Sequence, residues 1–316
     1  MGSVFAVIVA VDGRRLAAGR GVSRVATRVC EELSTIGGIE VRAVTPSRAA
    51  RAASALTGRP TLIAAADADV AWLPAPGPIA AGAPYVLTVN DLSWLDRPAD
   101  FTHYERLWHR LMRFPRLLRA AAAVTCIDAS VADDLESRFG VGATVVEPGV
   151  DAPPAGIVPF ERPRPYFLFV GALEPRKGLD VLADAWRRAA PDADLLIAGE
   201  GRTRPDIGEL LGHVSDEQLH RLYAGAKALI VPSLLEGYGL TPREAAAHGV
   251  PSIVSDLPSL RLPGTLRFPA GDAGALAAAI GALPTERANL VAALEPPRPW
   301  SAVAADMAAV FERVVR

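Results

Sequence analysis

Glu236 and Glu244, separated by seven residues, bracket the stretch of this chain best suited to chemistry, Glu236-Gly237-Tyr238-Gly239-Leu240-Thr241-Pro242-Arg243-Glu244. The apolar run Ala228–Val231 before it reads as a buried strand, and Gly237 and Gly239 let the following loop approach a ligand closely. Thr241 as N-cap and Pro242 at the first helical position then predict a short helix over Pro242–His248, stopped by Gly249 and Pro251. Such a loop offers backbone N–H groups, a positive helix end and two carboxylates to one small volume, which suits a polyhydroxylated anion such as a nucleotide sugar. Glu244 has a second reading of equal weight, because Thr241-x-x-Glu244 is a capping box in which the acid satisfies the N-cap amide. Glu236 has no such local role; its plain alternative is a solvated loop acid.

A second stretch, Gly171-Ala172-Leu173-Glu174-Pro175-Arg176-Lys177-Gly178, joins the apolar run Tyr166–Val170 to a helix-period segment from Leu179. Arg176 and Lys177 therefore sit where a helix begins, and cations there oppose the helix dipole unless an anion such as phosphate is bound. Of the 33 basic side chains only Lys177 and Lys227 are lysines, so Lys177 stands out against an arginine background. A third stretch, Gly19-Arg20-Gly21-Val22-Ser23-Arg24, opens the first helix and can bring backbone amides to a phosphate. It is a poor dinucleotide fingerprint, with Arg24 where Gly or Ala belongs, so hydride transfer is disfavoured.

The elements that must position these residues follow from the alternation of strand-length apolar runs with helix-period segments. The runs Val4–Val11, Val41–Val44, Thr61–Ala65, Val70–Leu73, Tyr85–Val89 and Val124–Ile127 read as strands, with an amphipathic helix over Val22–Leu33. After the Pro-rich stretch around Pro148–Pro154 the pattern restarts: strands at Tyr166–Val170, Asp194–Ala198, Ala228–Val231 and Ser252–Val254, helices at Leu179–Ala190, Asp216–Ala224 and Pro242–His248. The expected fold is α/β, two doubly wound Rossmann-like domains facing an interdomain cleft, with a last helix, Ala302–Val315, closing the chain. The boundaries are drawn at 1–153, 154–298 and 299–316, the last segment expected to pack back on the N-terminal domain.

Composition narrows the function further. A chain of 316 residues, 50% apolar and 22% charged, holds about two globular domains. Its net charge of −2 speaks against a nucleic-acid partner. Cys30 and Cys126 cannot build a disulfide framework, which suggests a cytoplasmic protein. Met1–Val11 lacks a basic head and a cleavage site, and no 18-residue stretch is free of Pro and charge, so neither signal peptide nor membrane span is expected. Asp67-Ala68-Asp69 and Asp192-Ala193-Asp194 spell a metal-binding pattern, yet each directly precedes an apolar strand and reads as a turn. The five histidines show no ligand spacing, and no metal is expected. Tyr104–Arg119, interrupted by Pro115, carries five arginines among aromatic and aliphatic residues. An ordinary core-facing helix is the favoured reading, and peripheral contact with an anionic inner-membrane face the other.

Arg176-Lys177-Gly178, Gly212-His213-Val214-Ser215, the Glu236-x7-Glu244 motif and Pro148-Gly149-Val150-Asp151 together resemble glycosyltransferase family 4, the glycosyl transferases group 1, whose fold is GT-B. The resemblance implies a metal-independent, retaining transfer of a hexose, mannose favoured, from a nucleotide-diphosphate sugar, GDP- or UDP-linked, with no cofactor. It implies that Glu236 binds donor-sugar hydroxyls and that the amides of Gly237, Tyr238, Gly239 and Leu240 line sugar and phosphate. Glu244 would hold the ribose, Arg176 and Lys177 the pyrophosphate, Gly21 and Gly171 would approach the nucleotide, and Val214 would adjoin the base through its backbone. The segment Thr88–Trp94 resembles a family segment that commonly has His-Asp where this chain has Asn90-Asp91. Asn90 can position a hydroxyl but cannot serve as a proton carrier, and Asp91 is a weak acceptor-site candidate. The acceptor is expected to be a glycan, a lipid-linked sugar or a small-molecule glycoside. The runner-up function is a nucleotide-sugar-binding protein without transfer; a metal-dependent GT-A enzyme is a poorer third.

Overall fold

The computed structural model describes residues 7–13, 16, 21–45, 47, 49, 61–62, 68–77, 80–81 and 84–316. Gly19, Arg20 and Asp67, residues 4–6 and 63–65 of two expected strands, and residues 78–79 and 82–83 lie outside the described residues. The chain divides into two compact units, one formed by Met1–Gly149 with Arg298–Arg316 and the other by Val150–Pro297.

The first unit contains β1 (Val7–Asp12), α1 (Val22–Leu33), β2 (Ile39–Val44), β3 (Thr61–Leu62), β4 (Val70–Leu73), β5 (Ala80–Ala81), β6 (Tyr85–Val89), α2 (Ser93–Asp96), α3 (His103–Leu111), α4 (Phe114–Arg119), β7 (Ala123–Cys126), α5 (Ala129–Phe139) and β8 (Thr144–Val145). The second contains β9 (Tyr166–Val170), α6 (Leu179–Ala189), β10 (Asp194–Ala198), β11 (Glu209–Gly212), α7 (Asp216–Gly225), β12 (Ala228–Val231), α8 (Leu240–Ala247), β13 (Ser252–Ser255), β14 (Thr265–Phe268) and α9 (Ala273–Ala292). A last helix, α10 (Trp300–Val315), returns to the first unit.

Each unit holds a six-stranded parallel sheet, ordered β2-β1-β4-β6-β7-β8 and β11-β10-β9-β12-β13-β14; β3 and β5 pair separately. Central strands such as β4, β6 and β12 are buried along their whole length, which is why their sequences are continuous apolar runs and not alternating ones. In the first unit Trp72 Nε1 donates to Thr88 Oγ1 at 2.8 Å, and Thr88 and Thr125 hydroxyls meet at 2.8 Å. This buried ladder ties β4, β6 and β7 together just before the chain emerges at Asn90.

The first helix buries Ser23, Ala26, Val29, Cys30 and Leu33 and packs on α10, whose Trp300, Val303, Ala304, Met307 and Phe311 share its core cluster. The Phe311 ring meets Trp72 edge-on at 6.2 Å. Truncating so buried an aromatic to Ala typically costs about 3–5 kcal/mol. Burial pushes the Cys30 thiol up to about 12, with Glu31 adding to it, and the Cys126 thiol up to about 11, leaving both unreactive near neutrality.

Two expectations need correction. The Tyr104–Arg119 segment is not one helix: Arg113 adopts φ 49, and Pro115 falls in the first turn of the new helix α4. Nor is all of it core-facing. In α4 Phe114, Leu117 and Leu118 are buried, whereas α3 buries nothing and leaves Tyr104 73%, Leu107 55% and Leu111 39% exposed.

Candidate functional site

The strand order of the second unit runs outward in both directions from the neighbours β9 and β12, so the loops leaving these two strands separate at their C-terminal ends. Open parallel sheets bind ligands in the crevice such a reversal leaves. The loop after β9 carries Gly171, Arg176 and Lys177; the loop after β12 carries Ser233, Glu236, Gly237, Tyr238 and Gly239. The two loops touch, with Leu234 N–H donating to Arg176 O at 2.8 Å. Gly178 makes that approach possible: its φ is 64, and a Cβ there would lie 2.0 Å from Pro232 O.

The two motifs picked out in the sequence meet as an ion pair. Lys177 Nζ lies 2.6 Å from Glu236 Oε2, with side chains only 13% and 14% exposed. The same carboxylate oxygen accepts from Ser233 Oγ at 2.9 Å. Burial works to raise the Glu236 carboxyl, and Lys177 outweighs it as charge and donor, helped by Arg176 and Ser233; the group titrates below the usual carboxylate range. Arg176 is partly buried and bonds Glu174 Oε2 through Nε at 2.9 Å. Gly171, at φ 152, donates its N–H to Ala198 O at 3.0 Å and lines the same strand end.

Of the two sequence readings of Glu244, the capping box does not form. The helix starts at Leu240, one residue before Thr241, with Gly239 as N-cap at φ 73 and no side-chain cap. The capping box is absent because Thr241 is the second residue of the helix and not its N-cap, so it does not stand outside the first turn to accept from Glu244 N–H. The Glu244 Oε2 instead accepts from the buried Tyr223 hydroxyl on α7 at 2.8 Å. His248 stacks on the Tyr223 ring at 5.3 Å, donates from Nδ1 to Glu244 O at 2.8 Å and accepts at Nε2 from His220 Nδ1 at 2.9 Å. Val214 follows β11 and packs on the core beneath α7; Ser215 next to it caps α7 in a capping box with Gln218.

Tyr223, Ser233 and Arg243 take part in this site although the sequence pattern assigns them nothing. Arg243 carries the one available signal, a cation in the first turn of a short apolar helix. Its guanidinium lies 3.7 Å from the centre of the buried Tyr238 ring.

Candidates in the first unit use their polar atoms locally. Asn90 Nδ2 donates to Pro74 O at 2.8 Å, which joins the ends of β6 and β4. Asp91 Oδ1 accepts from Ser93 N–H at 2.9 Å and from Ser93 Oγ at 2.5 Å, an Asx turn that starts α2. Gly21 is the N-cap of α1 at φ 51. His109 packs between Trp94 and Phe101, at 5.2 and 5.1 Å, and burial lowers its imidazole against the pull of Glu105 and Asp91. The exposed Asp192 and the strand-entry Asp194 both pair with Arg164, and among the described residues no group of three His, Cys, Asp or Glu is placed to hold a metal.

The model of the family described as glycosyl transferases group 1 matches residues 164–286, and that of Glycosyltransferase Family 4 matches residues 48–152. A glycogen synthase of Mycobacterium tuberculosis is 33% identical over 168 residues, 46% of this chain and 40% of that protein. The serotype-specific mannosyltransferase WbdA of Escherichia coli is 31% identical over 182 residues, 45% of this chain and 22% of that protein. The matches thus span two fifths or less of these relatives' lengths. Among solved structures, sucrose-phosphate synthase from Thermosynechococcus elongatus superposes with a TM-score of 0.72 at 18% identity, covering 97% of this chain and 98% of that one. Anabaena HepE in complex with UDP gives 0.65 at 13% identity, covering 97% and 99%.

Proposed function

For a chain that belongs to the group 1, family 4 glycosyltransferases and has their GT-B fold, we propose retaining transfer of a hexose, mannose favoured, from a GDP- or UDP-sugar to a hydroxyl acceptor. The largely shielded Lys177–Glu236 pair at the β9/β12 reversal carries this reading. Isolated buried ion pairs contribute little to stability, so a lysine and a carboxylate held at a ligand-binding strand end point to chemistry. The HepE complex with UDP and the mannosyltransferase relative support the nucleotide and the sugar.

In the reaction the bond between the anomeric carbon and the diphosphate oxygen breaks as the acceptor oxygen bonds to the same carbon. Charge grows on the departing diphosphate, and Lys177 with Arg176 stabilises it more than the ground state. Glu236 takes the sugar hydroxyls, and Glu244, oriented by Tyr223, takes the ribose. Val214 adjoins the base, and Gly171 approaches the phosphates. Asn90 cannot take up a proton, so the proton of the acceptor hydroxyl passes to the leaving phosphate oxygen, while Asn90 and Asp91 position the acceptor. No metal or cofactor enters these steps.

A donor screen tests the reading: UDP-, GDP-, ADP- and dTDP-sugars titrated calorimetrically without metal, with hydrolysis followed in parallel. One sugar nucleotide binds tightly and is slowly hydrolysed by the wild type, and Glu236→Gln abolishes the hydrolysis. Binding of none of them overturns it. Binding and no turnover with any acceptor favours the second reading, a nucleotide-sugar-binding protein, which the use of the Asn90 amide on Pro74 O supports.

Among the described residues no helix is long and apolar enough to cross a membrane. The exposed Tyr104, Leu107 and Leu111 of α3, with the exposed Arg110, Arg113 and Arg116 close by in sequence, support peripheral contact with an anionic membrane that presents a lipid-linked acceptor. Pelleting with anionic but not zwitterionic vesicles, lost in Leu107→Glu, is the expected result; equal pelleting with both removes the membrane from the reading.

A further inference from the structure

Arg243 occupies a place where a cation is unfavourable by itself, the first turn of α8, close to the positive end of the helix dipole. Its compensation comes from the preceding loop. The guanidinium stacks under Tyr238, and Nη1 bonds three carbonyl oxygens, those of Tyr238, of Gly239 at 3.2 Å and of Ser259 at 3.4 Å. A fourth tie is independent of it, the Ser259 hydroxyl donating to Glu236 O at 3.1 Å. Leu260 closes the same face, where a Cβ on Gly239 would lie 2.5 Å from Leu260 Cδ2.

A trans peptide unit is planar, with its C=O and the N–H of the next residue pointing in opposite directions. Holding the carbonyls of Glu236, Tyr238 and Gly239 toward Arg243 and Ser259 therefore turns the N–H groups of Gly237, Gly239 and Leu240 the other way, as a set. None of these three N–H groups bonds a described residue. Oriented backbone N–H groups next to a left-handed residue form a concave anion cradle. The same loop begins with Glu236, the partner of Lys177, so the cradle and the ion pair share one stem.

We propose that Arg243 is a positioning residue that presets the Gly237, Gly239 and Leu240 amides for the diphosphate of the donor, acting through the Tyr238 and Gly239 carbonyls without touching the donor. This rests on the reading of the second unit as the donor-binding one. A fork of planar donors stacked on a ring is a shape Lys does not reproduce, so the role belongs to Arg specifically.

The test compares wild type, Arg243→Lys, Arg243→Leu and Ser259→Ala by calorimetry with UDP and GDP, by donor KM and kcat in hydrolysis, by thermal unfolding, and by amide hydrogen exchange over residues 234–241. In Arg243→Leu the dissociation constant of the preferred nucleotide rises about 30-fold and donor KM follows it, while kcat at saturating donor falls less than about 5-fold. Arg243→Lys sits between, and Ser259→Ala, which releases the Glu236 carbonyl alone, weakens binding about 5-fold. Exchange over residues 234–241 quickens in the same order without ligand, read at bonded amides such as Leu234 N–H on Arg176 O. Wild-type affinity and exchange in a folded Arg243→Leu protein overturn the proposal. If that variant does not fold, Arg243→Lys and Ser259→Ala decide on the same readouts. A wild type that binds neither nucleotide defeats the donor reading, and the ligand-free exchange then still decides whether Arg243 sets the loop.

Discussion

Both units are six-stranded parallel sheets, yet their strand ends hold different kinds of polar contact. At the β9/β12 reversal of the second unit, charged side chains from different loops face one another: Lys177 meets Glu236, Arg243 gathers carbonyls from two loops, and Glu244 is held by a hydroxyl from another helix. At the β4 and β6 ends of the first unit, Asn90 bonds a neighbouring backbone carbonyl and Asp91 closes its own turn. Contacts of the second kind stabilise a fold with little desolvation, whereas buried charges are kept where a ligand needs them. On the proposed function, the electrostatic part of the reaction belongs to the second unit, and the first is left with shape and hydrogen bonding.

The strongest way to break that contrast is to remove the cation. Lys177→Ala leaves Glu236 buried without its counter-charge, so turnover at saturating donor falls about 10²-fold and the protein loses about 3 kcal/mol of stability. The sign of the pH dependence follows from the lowered Glu236 carboxyl. Its ion pair stabilises the fold above the ordinary carboxylate range, and that contribution disappears as pH falls through the folded-state value. Urea melts at pH 7 and pH 4 check this. Wild type loses more stability between the two than Lys177→Ala does, and equal losses contradict the pairing.

A smaller effect is expected next to it. Tyr223→Phe frees Glu244 from its hydroxyl partner and raises donor KM about 5-fold with kcat unchanged, the scale of one hydrogen bond. Steady-state kinetics with the preferred donor decide it; a fall in kcat alone would assign Tyr223 to the reacting centre.

Tyr223 also marks the limit of what can be read along the chain. The helix over Val22–Leu33 and the strands Val70–Leu73, Tyr85–Val89, Tyr166–Val170, Asp194–Ala198 and Ala228–Val231 are legible to the residue, since buried parallel strands and a core-facing helix write their burial into continuous or periodic apolar runs. The edge strand β11 escapes such a reading because its half-exposed Glu-Leu-Leu-Gly is too short to show a period. The Ala273–Ala292 helix is rich in Ala and Gly and contains Pro284, which hides it, yet Leu276, Ile280 and Leu283 keep helical spacing and are buried. For α5 the chain does carry end signals that apolar periodicity passes by: Asp128 caps it and Gly140 ends it in the left-handed region. In the site, Lys177 and Glu236 are visible as motif residues. The partner Tyr223 is not, and Arg243 shows only as a cation at a helix start, because their contacts depend on how α7 and α8 pack, and the local Thr241-x-x-Glu244 pattern points to a cap that packing does not use.

The first unit offers the complementary experiment. If Asn90 acts through position and not through a proton, Asn90→Ala lowers turnover no more than about 3-fold and costs about 1 kcal/mol through the lost bond to Pro74 O. Asn90→His restores a proton carrier, and a limb in the pH–rate profile near the histidine range appears in that variant alone. A limb of that kind in the wild type, or a 10²-fold loss in Asn90→Ala, would move proton transfer into the first unit and reverse the assignment drawn above.

The least effect, and the one that separates the units most cleanly, comes from one histidine in each. Burial lowers the imidazoles of His109, beside Trp94 and Phe101, and of His248, beside Tyr223 and His220. A histidine held neutral in the folded state is protonated first in the unfolded one, so stability is fully present above the ordinary value near 6.5 and declines as pH falls below it. Both rings are partly open to solvent, which keeps each contribution small. His248→Gln should flatten the acid limb of donor binding as well as of unfolding, because His248 donates to the Glu244 carbonyl and stacks on the tyrosine that holds the Glu244 carboxylate. His109→Gln should flatten unfolding alone. If His109→Gln changed the pH dependence of nucleotide affinity instead, the charge-sensitive machinery would not be confined to the second unit.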